Sequence, residues 1–191
     1  RPKPKRWPPR DPQNMKTPRA RDLALLAGAA ALAWVGHAGA TTVARAYTYG
    51  VPIMTAWTLP ERANEYLPAI REAEKEKGLP SGLLARLLYQ ESRYRDDIIH
   101  GLTVSSAGAV GIAQIVPRWH PNVDPLDPWA SIDYAAGYLA RLRAQFGSWR
   151  LALAAYNWGP GNIGKTGDAP DEWPQETRDY VAEITADTGV A

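Results

Sequence analysis

The sequence predicts an all-α fold, a helical domain preceded by an N-terminal hydrophobic helix. Apolar residues recur at i, i+3, i+4 spacing in successive segments, and most of these runs close on a glycine. No stretch alternates apolar and polar residues convincingly as a half-buried strand does. Clusters rich in Pro, Asn and Asp separate the runs and read as loops.

The chain opens with a basic arm over residues 1–22. Arg1, Lys3, Lys5, Arg6, Arg10, Lys16, Arg19 and Arg21 stand against only Asp11 and Asp22, so the overall charge of +2 hides a basic tail on a mildly acidic body. Pro2, Pro4, Pro8, Pro9 and Pro12 favour an extended segment. Such an arm is a solvated tail or a contact for anionic lipid or nucleic acid. Residues 23–44 carry no formal charge and are long enough to span a bilayer as a helix, though rich in Gly and Ala. Three readings stand. The segment is a membrane anchor, or a secretory signal with Ala38-Gly39-Ala40 as its cleavage site, or a helix packed in a large protein assembly. Residues 45–59 form a linker with Tyr47, Tyr49 and Trp57, broken by Gly50 and Pro52.

A folded domain is expected over residues 60–191. Pro60 can start a helix that runs through Lys77, with Tyr66, Leu67, Ile70 and Ala73 on one face and Gly78 as its stop. The next helix carries Leu84, Leu87 and Leu88. From Asp96 to Val116 a loop is expected, leading into a short turn of helix after Gly108, and Pro117 to Pro128 continues as loop. Ser131 can cap a helix through Ile132, Ala135, Ala136, Leu139, Leu142 and Phe146 to Gly147. A shorter helix spans Trp149 to Asn157 and stops at Gly159-Pro160-Gly161. The last begins near Pro174 and puts Thr177, Tyr180, Val181 and Ile184 on one side.

With 191 residues and 45% hydrophobic content, the chain can bury one sizeable core. It has no cysteine, which excludes disulfides and thiol chemistry. His37, His100 and His120 are far apart and lack the i, i+4 pairing of a metalloprotease helix, so no catalytic metal and no cofactor are expected. Each histidine reads as a surface or interfacial residue.

Glu91 is the outlying residue. The stripe of Leu84, Leu87 and Leu88 arrives at it, so a carboxylate stands where the pattern calls for an apolar side chain. Against hydrocarbon its charged form loses hydration, its pKa rises, and it becomes a general acid near neutral pH. In the competing reading the helix frays and Glu91 is solvated among Gln90, Ser92, Arg93 and Arg95.

Downstream lie Ser105, then Gly108-Ala109-Val110-Gly111-Ile112-Ala113-Gln114, then Ala154-Ala155-Tyr156-Asn157-Trp158-Gly159, and finally Glu176-Thr177-Arg178-Asp179-Tyr180. Together with Glu91-Ser92 this ordered set resembles the catalytic domain of the soluble lytic transglycosylases, lysozyme-like enzymes that cut peptidoglycan glycan strands. The resemblance runs from about Leu59 to Ala186. It implies a lysozyme-like helical fold, with Glu91 as the acid and then the base. It implies a substrate groove bordered by Ser105, Gly108, Gly111, Gln114, Tyr156, Asn157, Trp158 and Tyr180. Within that picture Tyr180 donates to Glu91, Ser105 bonds an acetamido or lactyl group, and Gly108 and Gly111 let backbone approach the sugar.

Hydrolases of glycosides add a second carboxylate, but Asp96, Asp97, Asp124, Asp127 and Asp133 sit in no recognisable partner motif. The family chemistry fits this, since the sugar's N-acetyl group assists and its own 6-hydroxyl attacks, leaving a 1,6-anhydro-MurNAc end at the cut β-1,4 bond. Departures from the pattern are Ala113 in place of methionine, Trp158 in place of alanine, and a longer spacing between Glu91 and Ser105. Of Trp119, Trp129, Trp158 and Trp173, Trp158 is the best subsite candidate. Alternatives are a goose-type lysozyme that uses water, or a structural virion or channel protein whose domain only binds glycan. The setting implied is a phage virion or the bacterial envelope, with the domain in the periplasm and residues 23–44 as anchor.

Overall fold

Helix α5, Trp149–Trp158, lies at the centre of the fold, which a computed structural model describes for residues 57–190. The expected arm, the hydrophobic segment 23–44 and the linker up to residue 56 lie outside the described residues. Among the described residues no helix is long and apolar enough to cross a membrane. They are all-helical apart from turns and a single antiparallel bridge between Val110 and Ile115.

Helix α1, Leu67–Lys77, starts later than Pro60. Pro68 has no N–H with which to continue a ladder from Asn64, so it fits only in a first turn. Residues Glu61–Ala63 form one 3₁₀ turn instead. Gly78 closes α1 in the left-handed region at φ +68°. Helix α2, Leu83–Ser92, buries Leu83, Leu84, Leu87 and Leu88 completely. Each such leucine contributes roughly 1.5–3 kcal/mol by leaving water. Short α3, Asp96–Ile99, follows within what the sequence presented as loop.

The helical turn expected after Gly108 is a tight reversal. Val110 and Ile115 exchange backbone hydrogen bonds of 3.1 and 3.0 Å around Gly111 and Gln114, which have φ of +78° and +46°. Two left-handed residues in four cannot continue a right-handed helix. Helix α4, Pro128–Phe146, begins four residues before the start that a Ser131 cap would give. Asp127 is the cap, its carboxylate accepting from Trp129 N at 2.9 Å and Ala130 N at 3.1 Å. Ser131 is buried, and its hydroxyl donates to Pro125 O at 3.2 Å.

Ser148 caps α5 by accepting from Leu151 N. Gly159 at its end makes a corner, and Pro160 starts α6, Pro160–Thr166, a helix that Gly161 and Gly164 concealed in the sequence. Helix α7, Gln175–Thr188, buries Thr177, Tyr180, Val181 and Ile184 as its periodicity predicts. Helix α5 packs against α4, α6 and α7, and α2 packs between α1 and α7. The α2–α7 contact brings the Glu91 segment beside the Tyr180 segment.

Candidate active site

Glu91 occupies the last turn of α2, where the chain leaves the helix abruptly. Ser92 is fully buried, and its hydroxyl donates to Leu88 O at 3.0 Å while accepting from Tyr94 N at 3.1 Å. Arg93 and Tyr94 both sit at φ +54°, a costly conformation for residues with side chains. The buried Tyr94 hydroxyl holds it by donating to Ala85 O at 2.8 Å. This corner stops the helix directly after the acid and turns the chain away from it.

Arg86 joins α2 to α7. Its guanidinium reaches Asp187 at 2.6 Å and Glu183 at 3.2 Å on α7, and Gln90 at 2.7 Å on its own helix. On the same helix pair the Tyr180 hydroxyl donates to Glu91 Oε1 at 2.6 Å. Burial pushes the Glu91 carboxyl up to about 8, the Tyr180 hydrogen bond opposes the rise, and the charge of Glu176 adds to it. The carbonyl end of α2 disfavours an anion in the same sense. Glu91 is therefore largely protonated at neutral pH. Tyr180 and Tyr156 are held well above the usual phenol range by burial and then by Glu91, so both remain donors.

Glu91 opens on a cleft of about 500 Å³. Of the expected residues, Glu91, Gln114, Tyr156 and Asn157 line it. Gln114 closes its own turn through Nε2 to Gly111 O at 3.0 Å. Tyr156 donates to Ala113 O at 3.0 Å, tying α5 to the loop, and Asn157 accepts from Thr177 of α7 at 2.7 Å. Tyr180 stands behind Glu91 rather than on the cleft surface.

The other expected residues lie off the lining. Ser105 Oγ accepts from Ala109 N at 2.9 Å and so braces the loop. Gly111 makes its close approach within the protein, since a Cβ there would lie 1.8 Å from Pro125 O. Gly108 adopts φ +78° with open space around it. Trp158 is partly buried and packed against the core. Ala113 is fully buried.

The cleft adds His120, Tyr134 and Tyr138, which the sequence reading did not place there, and Trp119, which it ranked below Trp158 as a subsite residue. Tyr134 and Tyr138 share a face of α4 at i, i+4, a visible signal outweighed by the stripe of Ile132, Ala135 and Leu139. His120 carries no local signal, because only the fold brings its loop over α4. Glu91 is the one carboxylate among the described residues lining the cleft. Among the described residues, no group of three or more His, Cys, Asp or Glu is gathered as for a metal ion.

This arrangement offers one protonated acid, one phenol behind it and an aromatic groove in front. The family model "Transglycosylase SLT domain" matches residues 68–177, more than half of the chain. The chain belongs to this family. The transglycosylase SLT match lies inside the stretch over which the sequence motifs show their resemblance. Membrane-bound lytic murein transglycosylase D of Escherichia coli K12 is 32% identical over an alignment of 146 residues that covers 65% of this chain and 31% of that protein. The corresponding protein F of Alcanivorax borkumensis is 32% identical over 130 residues, 60% of this chain and 27% of the relative. Protein C of Actinobacillus succinogenes is 29% identical over 134 residues, 58% and 36% of the two chains. The match thus spans about a third of the length of these relatives. Among solved structures, an inactive glutamate-to-glutamine mutant of the lytic transglycosylase Slt from Pseudomonas aeruginosa superposes with a TM-score of 0.52 at 26% identity. That match covers 64% of this chain and 23% of the other.

Proposed function

We propose that this chain is a peptidoglycan lytic transglycosylase that cleaves the β-1,4 bond between MurNAc and GlcNAc and leaves a 1,6-anhydro-MurNAc end. The observation that carries the reading is a single partly buried carboxyl group, raised to about 8, bonded to a tyrosine and without a second carboxylate among the described lining residues. Glu91 donates its proton to the bridging oxygen as the bond from that oxygen to the anomeric carbon breaks. The substrate's acetamido oxygen takes up the positive charge at that carbon. Glu91, now a carboxylate, removes the proton of the 6-hydroxyl, whose oxygen closes on the anomeric carbon and displaces the acetamido group. No water is consumed. Tyr180 serves both steps, because its hydrogen bond strengthens once Glu91 is charged and keeps the base aimed.

Gln114, Tyr156 and Asn157 are the proposed groove residues, with Ser105, Gly108, Gly111 and Trp158 holding the segments that carry them. The family membership supports this chemistry, and the inactivity of the glutamate-to-glutamine Slt mutant is in keeping with a glutamate-dependent reaction. The membrane-bound relatives favour an envelope setting over a virion. Mass spectrometry of sacculi digested by the protein tests the reading. Anhydro-muramyl products, lost in Glu91→Gln, are expected, whereas reducing-end muramic acid alone would make the enzyme a hydrolase.

A further inference from the structure

One wall of the cleft takes no part in the acid–base steps. From Tyr156, which lies within the field of Glu91, Tyr138 follows with ring centroids 5.7 Å apart, and His120 meets Tyr138 edge-on at 5.1 Å. His120 Nδ1 lies 2.8 Å from the Tyr134 hydroxyl, and the two rings also meet edge-on at 5.5 Å. The Arg141 guanidinium sits over Tyr134 at 5.8 Å and over Tyr138 at 5.6 Å, stacking on both tyrosines that hold the imidazole. The histidine ring is thus fixed from two sides, yet among the described residues its second nitrogen, Nε2, has no hydrogen-bond partner.

Burial first, and the Arg141 charge second, hold the His120 pKa below the ordinary range, so the ring is neutral at neutral pH. A phenol is the better donor of this pair, and with Tyr134 donating to Nδ1 the ring proton resides on Nε2. A fixed N–H donor, with a guanidinium behind its supporting tyrosines, suits an oxygen acceptor that is electron-rich or anionic.

We propose that His120, oriented by Tyr134, is a specificity-determining residue that donates from Nε2 to a carbonyl or carboxylate oxygen on a substituent of the glycan strand. This rests on the glycan-cleaving reading of the same cleft. The acceptor is the N-acetyl carbonyl of a sugar or a carbonyl or carboxylate oxygen of the stem peptide itself.

The test is binding to insoluble sacculi, measured for Glu91→Gln and for the same protein with His120→Phe added. Phenylalanine keeps the ring contacts and removes the donor. Binding about tenfold weaker is expected on intact sacculi. If the acceptor is the N-acetyl group, the difference persists on sacculi stripped of peptide by an amidase and disappears after de-N-acetylation. If it is the stem, stripping alone abolishes it. Equal binding by the two proteins, at equal melting temperature, overturns the proposal. Should His120→Phe fail to fold, Tyr134→Phe decides on the same substrates, with a loss of about threefold expected and unchanged binding overturning the proposal. A wild-type protein that binds through His120 yet releases no product refutes the proposed reaction and leaves the recognition role intact.

Discussion

Each end of helix α2 meets a glutamate, buried Glu74 at one and partly buried Glu91 at the other, and their surroundings are opposite. Glu74 reaches from α1 to the N-terminal end, where its carboxylate accepts from Gly82 N at 3.0 Å, Leu84 N at 2.9 Å and Ala85 N at 3.3 Å. Glu91 sits at the C-terminal end and accepts one phenol hydrogen bond. Burial raises the pKa of both, and it is the largest influence on each. At Glu74 three backbone donors and the positive end of the helix favour the anion and oppose the rise. At Glu91 a single donor does so, while Glu176 and the negative end of the helix work the other way. Burial alone therefore does not make an acid catalyst. The number of donors and the polarity of the helix end decide whether a buried carboxyl is a structural brace or a proton store.

Three substitutions, giving four measurements, probe this contrast in decreasing order of effect. Glu91→Gln keeps the size of the side chain and removes the proton, and lytic activity should fall about 10³-fold, measured as release of soluble muropeptides. Glu74→Ala strips three backbone N–H groups of their acceptor and should cost about 3 kcal/mol in urea unfolding. In that variant the upper limb of the pH–rate profile should stay near pH 8, because Glu74 is remote from the cleft lining.

Stability should respond to Glu91 in the opposite sense. Its folded pKa lies above its ordinary value of 4.5, so between pH 4.5 and about 8 the folded state holds a proton that the unfolded chain has released. Wild-type stability therefore falls as pH rises through that window. Glu91→Gln escapes this loss and should be more stable than wild type by roughly 2 kcal/mol at pH 8, with no advantage at pH 4. Thermal unfolding of both proteins at the two pH values measures it. The smallest effect is expected for Tyr180→Phe. Activity should drop about tenfold, and the loss of a hydrogen bond that lowers the Glu91 pKa should move the upper pH limb to higher pH.

The sequence revealed Glu91 because a carboxylate interrupted a leucine stripe, and it revealed the last helix because Thr177, Tyr180, Val181 and Ile184 keep a strict period. Both signals are local. Glu74 escaped notice because its function is to cap a helix eight or more residues away, and it looks like any acid in Glu72-Ala73-Glu74-Lys75-Glu76. The start of α4 was displaced because Asp127 and Pro128 read as loop residues until their cap geometry is seen. His120 and the α4 tyrosines were missed for a different reason. The groove wall they form exists only once the 117–127 loop lies across α4, and no period along the chain encodes that crossing.

In the proposed reaction helix α2 separates two roles that composition alone would merge, and the separation is read most directly at the acid itself. Carbon-13 NMR of the Glu91 carboxyl, followed across pH, measures its titration in the folded protein. A midpoint near 8 is predicted, with little change in chemical shift below pH 6. A midpoint near 4.5 would leave a carboxylate at neutral pH and contradict its role as the proton donor.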